Sequence, residues 1–264
     1  MQSENDLWSS SGHYDQFMGR WSVLVGREFL RWLAIPPGRR WLDVGCGTGT
    51  LTRLVLETNQ PMRVVAVDSS DEFVAQAQQT IADPLVYFQV GQAEALDVKT
   101  DSVDVAVSGL ALNFVSRPED AVAEMLRVTA PGGVVGVYLW DYAEGMQMLR
   151  YFWNVAVELD QSARELDEGV RFPICRQGQL ALLAETAGLK QVEATAIEVT
   201  TVFQNFDDYW RPFLGAVGPA PSYVQSLSTI NRQRLEDRLR ETLPANVDGA
   251  ISMTARAWAV KGVA

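Results

Sequence analysis

The sequence predicts an α/β fold built on a doubly wound, seven-stranded and mostly parallel sheet, and three observations support it. Short apolar runs alternate with amphipathic stretches between Trp41 and Trp140, the pattern of strands buried on both faces and joined by right-handed helical crossovers. A glycine-rich turn, Gly45-Cys-Gly-Thr-Gly49, follows the first apolar run and opens onto a stretch with helical spacing. The last run, Ile251 to Lys261, alternates with period two through Met253, Ala255, Ala257 and Ala259, which suits an antiparallel strand closing the sheet.

In chain order, Trp41-Leu-Asp-Val44 reads as the first strand, and a helix follows the turn from Thr50 with Leu51, Leu54 and Val55 on its inner stripe. Val64 to Val67 is the second strand and ends at Asp68; Ser69 or Ser70 then caps a helix to Thr80, since a short hydroxyl side chain accepts from the free amides of a first turn. Leu85 to Phe88 is the third strand, followed by Gly91-Gln-Ala-Glu94, and Val103 to Val107 is the fourth. Pro118 starts a helix that is expected to run up to Pro131-Gly-Gly133, and Val134 to Trp140 is the fifth strand. Glu144 to Arg176 then leaves the alternation, with Met146, Leu149, Trp153 and Ala156 at helical spacing. A helix around Leu180 to Ala187 and a long strand from Val192 to Phe203 restore the rhythm. A second irregular stretch, Asn205 to Asn246, holds Phe206, Tyr209, Trp210 and Phe213. One domain over residues 1–264 is expected: an N-terminal lid and helix (1–35), a ligand-binding core (36–142) and helical cap insertions at 144–178 and 204–248.

The balance of charge narrows the partners. Thirty-three acidic against 22 basic residues give a net charge of −11 with no Lys/Arg-rich tract, and such a surface repels phosphate backbones. No nucleic-acid substrate is therefore expected. Cys46 and Cys175 have no metal-type spacing, and neither a metal site nor a disulfide framework is expected. No apolar run reaches the ~20 residues of a membrane span and the first residues lack a signal-peptide pattern, so a cytoplasmic protein without membrane association is expected.

The glycine turn excludes two kinds of site. A phosphate-cradling loop ends in Gly-Lys-Ser/Thr, and no lysine stands here. A dinucleotide turn spaces its glycines Gly-x-Gly-x-x-Gly, whereas Gly45, Gly47 and Gly49 alternate and Thr50 takes the last glycine's place. Ligands of open α/β sheets bind outside the carboxyl ends of the strands. There the chain places the turn, Asp68, Ala93-Glu94 and the Ser108 to Phe114 segment.

These residues, Leu42-Asp-Val-Gly-Cys-Gly-Thr-Gly49 above all, resemble class I S-adenosylmethionine-dependent methyltransferases of Rossmann-like fold, and within them a small-molecule group similar to the quinone-biosynthesis enzymes. Asp68, Glu94, Asp101 to Val107 and Leu126-Arg-Val-Thr-Ala-Pro-Gly-Gly133 support the resemblance, which spans about Tyr14 to Tyr138. It implies S-adenosyl-L-methionine as cofactor. The amides of Gly45, Cys46 and Gly47 then face its methionine portion, and Asp43 fixes its ammonium group directly or through water. Asp68, with Ser69 beside it, holds the ribose hydroxyls; Ala93 and Glu94 flank the adenine; Gly109 and Leu110 line the sulfonium end. In the N-terminal segment, Tyr14 packs at the transfer site and Arg20 pairs with the cofactor's carboxylate. The alternative there is a surface arginine, with Tyr14, Phe17 and Trp21 stapling the chain to its first helix.

Methyl transfer needs alignment and exclusion of water more than a nucleophilic residue. If the acceptor must lose a proton, His13 and Asp141 are the candidate bases; the alternatives are an incidental histidine and a strand-end cap. A small, apolar or aromatic acceptor is expected under the insertions, against Met146, Trp153, Tyr209, Trp210 and Phe213 with Phe206 nearby, unless these residues pack only on one another. Two competing functions remain open from sequence: a cofactor-binding protein without transferase activity, and an NAD(P)-dependent oxidoreductase.

Overall fold

The computed structural model describes residues 19–215 and 218–264. Candidate residues His13 and Tyr14 lie outside them. Helix α1 (Arg20–Leu33) precedes strand β1 (Arg40–Val44), α2 (Thr50–Asn59), β2 (Arg63–Asp68), α3 (Asp71–Thr80), β3 (Val86–Val90), β4 (Val103–Gly109), α4 (Pro118–Val128) and β5 (Thr129–Trp140). Then come α5 (Gln147–Leu159), the single turn α6 (Glu168–Arg171), α7 (Gln179–Thr186), β6 (Lys190–Phe203), α8 (Phe206–Trp210), α9 (Pro219–Ser226), α10 (Thr229–Thr242) and β7 (Ile251–Val263).

The seven strands form one sheet in the order β3-β2-β1-β4-β5-β7-β6. Strands β1 to β5 are parallel, with Asp43 opposite Ala66 on one side and Val107 on the other. At the start of β5, Gly132 N donates to Ala264 O and Ala264 N to Gly133 O, so β7 runs back antiparallel beside it. The order turns outward in both directions from the β1–β4 pair, and β1 and β4 therefore flank the switch point where such sheets bind ligands.

The chain divides into two compact units: a sheet unit (22–139, 177–197 and 258–264) and a cap unit (140–176 and 198–257, with Arg20 and Trp21). In the sheet unit Phe29, Trp41, Leu42, Leu54 and Val55 are buried at 1% exposure or less, each such side chain contributing about 1.5–3 kcal/mol. In the cap unit the Phe152 and Phe213 rings stack at 4.4 Å, and Trp153 and Tyr209 lie 4.9 Å from Phe152 and 5.2 Å from Phe213 respectively.

Two boundaries differ from the sequence reading. Helix α4 ends at Val128, and Thr129-Ala-Pro-Gly-Gly133 is already strand. Gly133 explains this: a Cβ there would stand 2.7 Å from the Asp104 carbonyl oxygen, so the glycine admits a neighbouring backbone and is no helix stop. The segment from Glu144 to Arg176 is broken rather than one amphipathic helix. Asp160 and Asp167 accept from Ser162 N and Gly169 N, and each starts a new short turn.

Candidate functional site

The site is built within the sheet unit at the carboxyl ends of β1, β2 and β4. Gly45, Gly47 and Gly49 all have positive φ (73°, 53° and 89°), a backbone region that glycine enters without steric cost. They differ in surroundings. A Cβ on Gly45 would lie 2.4 Å from the Ala111 Cβ, and one on Gly49 would lie 2.5 Å from Ile81 Cδ1. A Cβ on Gly47 would meet nothing within 4 Å. Gly47 is thus the member of the turn whose α-carbon faces open volume.

The turn's amides do not face that volume. Gly45 N and Cys46 N both donate to the Val67 carbonyl, at 2.8 and 3.0 Å, and Gly47 N donates to Asp68 Oδ2 at 2.8 Å. The expectation that these three amides meet a ligand is corrected accordingly: the end of β2 has already taken them. Cys46 is corrected too, because its buried thiol packs with Ala66, Val74, Ala77 and Phe88, and burial raises it well above its ordinary range.

Two carboxylates flank the turn. Asp68 accepts from Gly47 N and, through Oδ1, from Ser70 N at 2.9 Å. Each oxygen keeps a second lone pair for a hydroxyl donor. Burial pushes its pKa up, against the pull of those backbone donors. Ser69 beside it is exposed, while Ala93 is buried and Glu94 half-buried after β3. Gly91 N donates to Asp68 O, tying that segment to the end of β2.

Asp43, 1% exposed on β1, receives the Thr52 hydroxyl on Oδ2 at 2.6 Å, but its Oδ1 is buried without a partner. Desolvation first, and the Asp68 charge after it, push Asp43 up to about 7. Thr52 is a site residue that sequence reasoning missed, although a hydroxyl in the first turn after a glycine loop is a readable signal. Beside it, Leu110 adopts φ 60°, rare for a residue with a side chain, and its N–H is fixed to Tyr138 O at 2.8 Å. Gly109 is held close to the Tyr138 ring, whose hydroxyl would stand 2.6 Å from an added Cβ.

The remaining candidates belong to the cap unit. Asp141 is 2% exposed, and Arg256 grips Oδ2 through Nε at 2.8 Å and Nη2 at 2.6 Å while Glu144 N donates to Oδ1. A carboxylate so engaged is an anchor between β5 and β7, which corrects its reading as a free base. Met146, Trp153, Tyr209 and Phe213 are fully buried and Trp210 is 5% exposed. Their surfaces are spent on one another, and the Tyr209 hydroxyl donates to Met148 O at 3.0 Å. They are the core of the cap, the alternative that the sequence left open. Arg20 lies over the Trp21 and Phe203 rings at 4.6 and 4.9 Å and 3.5 Å from Asp208. Trp21 stands within α1 and not ahead of it, edge-on to Phe203. A second buried carboxyl, Glu168, accepts from Trp153 Nε1 and is pushed by burial up to about 7; no motif announced it.

The turn, the switch-point position and the unpaired Asp43 oxygen coincide with a family's signature region. The sequence profile of the methyltransferase domain matches residues 42–137, from the middle of β1 into β5. Residues 42–137 are similar to a methyltransferase domain. The cofactor of such domains is S-adenosylmethionine, and the residues here fit it: a buried carboxyl oxygen without a partner on Asp43, hydroxyl acceptors on Asp68 and clear space over Gly47.

Over 173 residues the chain is 33% identical to an uncharacterised 37.1 kDa protein in a transposon of Streptomyces fradiae, covering 64% of this chain and 48% of that one. It is 33% identical over 111 residues to the malonyl-acyl-carrier-protein O-methyltransferase of Serratia marcescens, covering 42% of each. The chain thus spans about half the length of these relatives. A Haloferax volcanii protein solved in complex with the Trm112 methyltransferase activator shares the fold at a TM-score of 0.64 and 20% identity, covering 100% of this chain and 99% of that one. Among the described residues no helix is long and apolar enough to cross a membrane.

Proposed function

We propose that this chain transfers a methyl group from S-adenosylmethionine to a small-molecule acceptor by in-line displacement. The observation that carries the reading is the buried, unpartnered Oδ1 of Asp43 together with the open face of Gly47 on the turn that follows it, both inside the segment that matches the methyltransferase domain. When bound, the cofactor supplies a methyl group activated by its sulfonium sulfur. The protein's part is to position and to exclude water. Asp43 pairs with the ammonium group, Asp68 accepts the ribose hydroxyls, Ala93 and Glu94 flank the adenine, and Leu110, fixed through Tyr138, lines the reacting end. Gly47 takes the place assigned to the turn amides by presenting its bare α-carbon.

The acceptor is a small molecule. Two relatives whose printed names carry a substrate act on malonyl-acyl-carrier protein and trans-aconitate, so carboxylic acids join phenols and quinones among the acceptors to be tried. Calorimetric titration with S-adenosylmethionine, S-adenosylhomocysteine and NAD tests the cofactor, and transfer of a labelled methyl group to such a panel tests the reaction. Binding of NAD in preference to both sulfur compounds overturns the proposal. Binding of the sulfur compounds without transfer to any acceptor favours a cofactor-binding protein that lacks activity.

A further inference from the structure

Asp43 and Asp68 divide two tasks at one turn. Asp68 has both oxygens occupied by backbone N–H groups and shapes the loop. Asp43 takes its hydrogen bonds from Thr52 alone, through the hydroxyl and the backbone N–H, and leaves Oδ1 unpartnered in a buried place. Among the described residues, the groups around Asp43 offer it no positive charge. Its partners across the sheet are Ala66 and Val107, both apolar. The Cys46 thiol on the turn is held neutral by burial and by the two carboxylates. From α2 come the Thr52 hydroxyl and backbone N–H, and from the end of β2 the like charge of Asp68. A buried carboxylate in such company is costly to ionise.

We propose that Asp43 couples cofactor binding to proton release: its carboxyl is partly protonated in the free protein and ionises when the cofactor's ammonium group pairs with Oδ1. The inference rests on the methyltransferase reading above. The proton passes to solvent and the ammonium keeps its own, so charge balances. With Asp43 at about 7, the release at pH 7 is about half a proton per ligand, and affinity rises roughly tenfold from about pH 6 to about pH 7.5. It falls again at higher pH, where the ligand's α-amino group loses its charge.

The test is titration calorimetry of S-adenosylhomocysteine in two buffers of different ionisation heat, repeated across this pH range. 5′-Methylthioadenosine, which keeps the nucleoside but lacks the amino-acid portion, is the second probe. Proton release with S-adenosylhomocysteine and none with methylthioadenosine supports the proposal, as does loss of the release in Asp43→Asn. Equal release with both probes assigns the proton to another group and overturns it. Affinity for S-adenosylhomocysteine that is flat between pH 6 and 7.5 overturns the coupling alone. Failure of S-adenosylhomocysteine to bind at any pH overturns the functional reading itself and the coupling with it.

Discussion

Replacing Gly47 by alanine separates the turn's structural role from its ligand-facing one. The new methyl meets nothing within 4 Å, so the cost to the fold is that of a left-handed backbone at φ 53° carrying a Cβ, about 1–2 kcal/mol. Gly45→Ala bears the same kind of strain at φ 73° and also places its Cβ 2.4 Å from the Ala111 Cβ. Overpacking of that kind adds about 1–3 kcal/mol. For a chain of this size each kcal/mol lowers Tm by roughly 2–4 °C, so Gly47→Ala melts a few degrees below the parent and Gly45→Ala clearly lower. The order reverses for binding. The Gly47 methyl stands in the volume that the cofactor needs, and S-adenosylhomocysteine affinity falls by on the order of 100-fold, equivalent to about 3 kcal/mol. Adding Ala111→Gly to Gly45→Ala removes the clash and restores about 1–3 kcal/mol through coupling of neighbouring sites. Thermal melts and calorimetry on the four proteins check each step. Wild-type affinity in Gly47→Ala would show that the open face of the turn does not meet the ligand.

Three further outcomes follow from the contacts. Asp68→Ala loses acceptors for the ribose and for Gly47 N, weakening S-adenosylhomocysteine by about 10- to 150-fold, or 1.5–3 kcal/mol; an unchanged dissociation constant rules out this role. Arg256→Ala strands the buried Asp141 charge and destabilises the protein by about 3–5 kcal/mol in chemical denaturation, and pairing it with Asp141→Asn recovers part of the loss; additive effects would refute the anchor. Glu168 carries a folded pKa of about 7 against an ordinary 4.5. A raised carboxyl favours the fold below pH 4.5 and that contribution is lost as pH climbs through 7, so Glu168→Gln gains stability on the parent between about pH 5 and 8, by up to about 3 kcal/mol. Parallel Tm–pH curves for the two proteins would refute that titration.

The sheet was legible because its signals are local. Period and length identified β1, β2 and β4, and the glycine turn joined the first to its helix. Readings went astray where a distant partner decides. Pro131-Gly-Gly133 signals a stop when read locally, yet Ala264 pairs with it and Asp104 approaches Gly133 closely enough to exclude a side chain. The turn amides looked free because Val67 and Asp68, which take them, lie some twenty positions on. Asp141 could pass for a base because Arg256, 115 residues away, has no sequence mark tying it to that position. In the cap, aromatic spacing shows that rings share a face but not whether that face meets a ligand or other rings.

The distribution of unmet need across the sheet unit adds an argument that no motif supplies. Buried polar atoms are ordinarily paired, and leaving one unpaired costs about 1–3 kcal/mol. At the amino ends of β1 and β4 Asp104 receives Arg40 through its backbone N, Nε and Nη2 at 2.8, 3.1 and 2.6 Å, while Trp41 Nε1 is buried without a partner. At the carboxyl ends of the same two strands Asp43 Oδ1 and Ser108 Oγ are buried without partners, Asn113 Nδ2 after β4 likewise, and Leu110 sits in a strained backbone region. Unpartnered atoms occur elsewhere too, Trp140 Nε1, Glu168 Oε1 and Thr201 Oγ1 among them. At the carboxyl ends of β1 and β4, however, a carboxylate, a hydroxyl and an amide stand unpaired close to a strained backbone, the combination that functional sites collect.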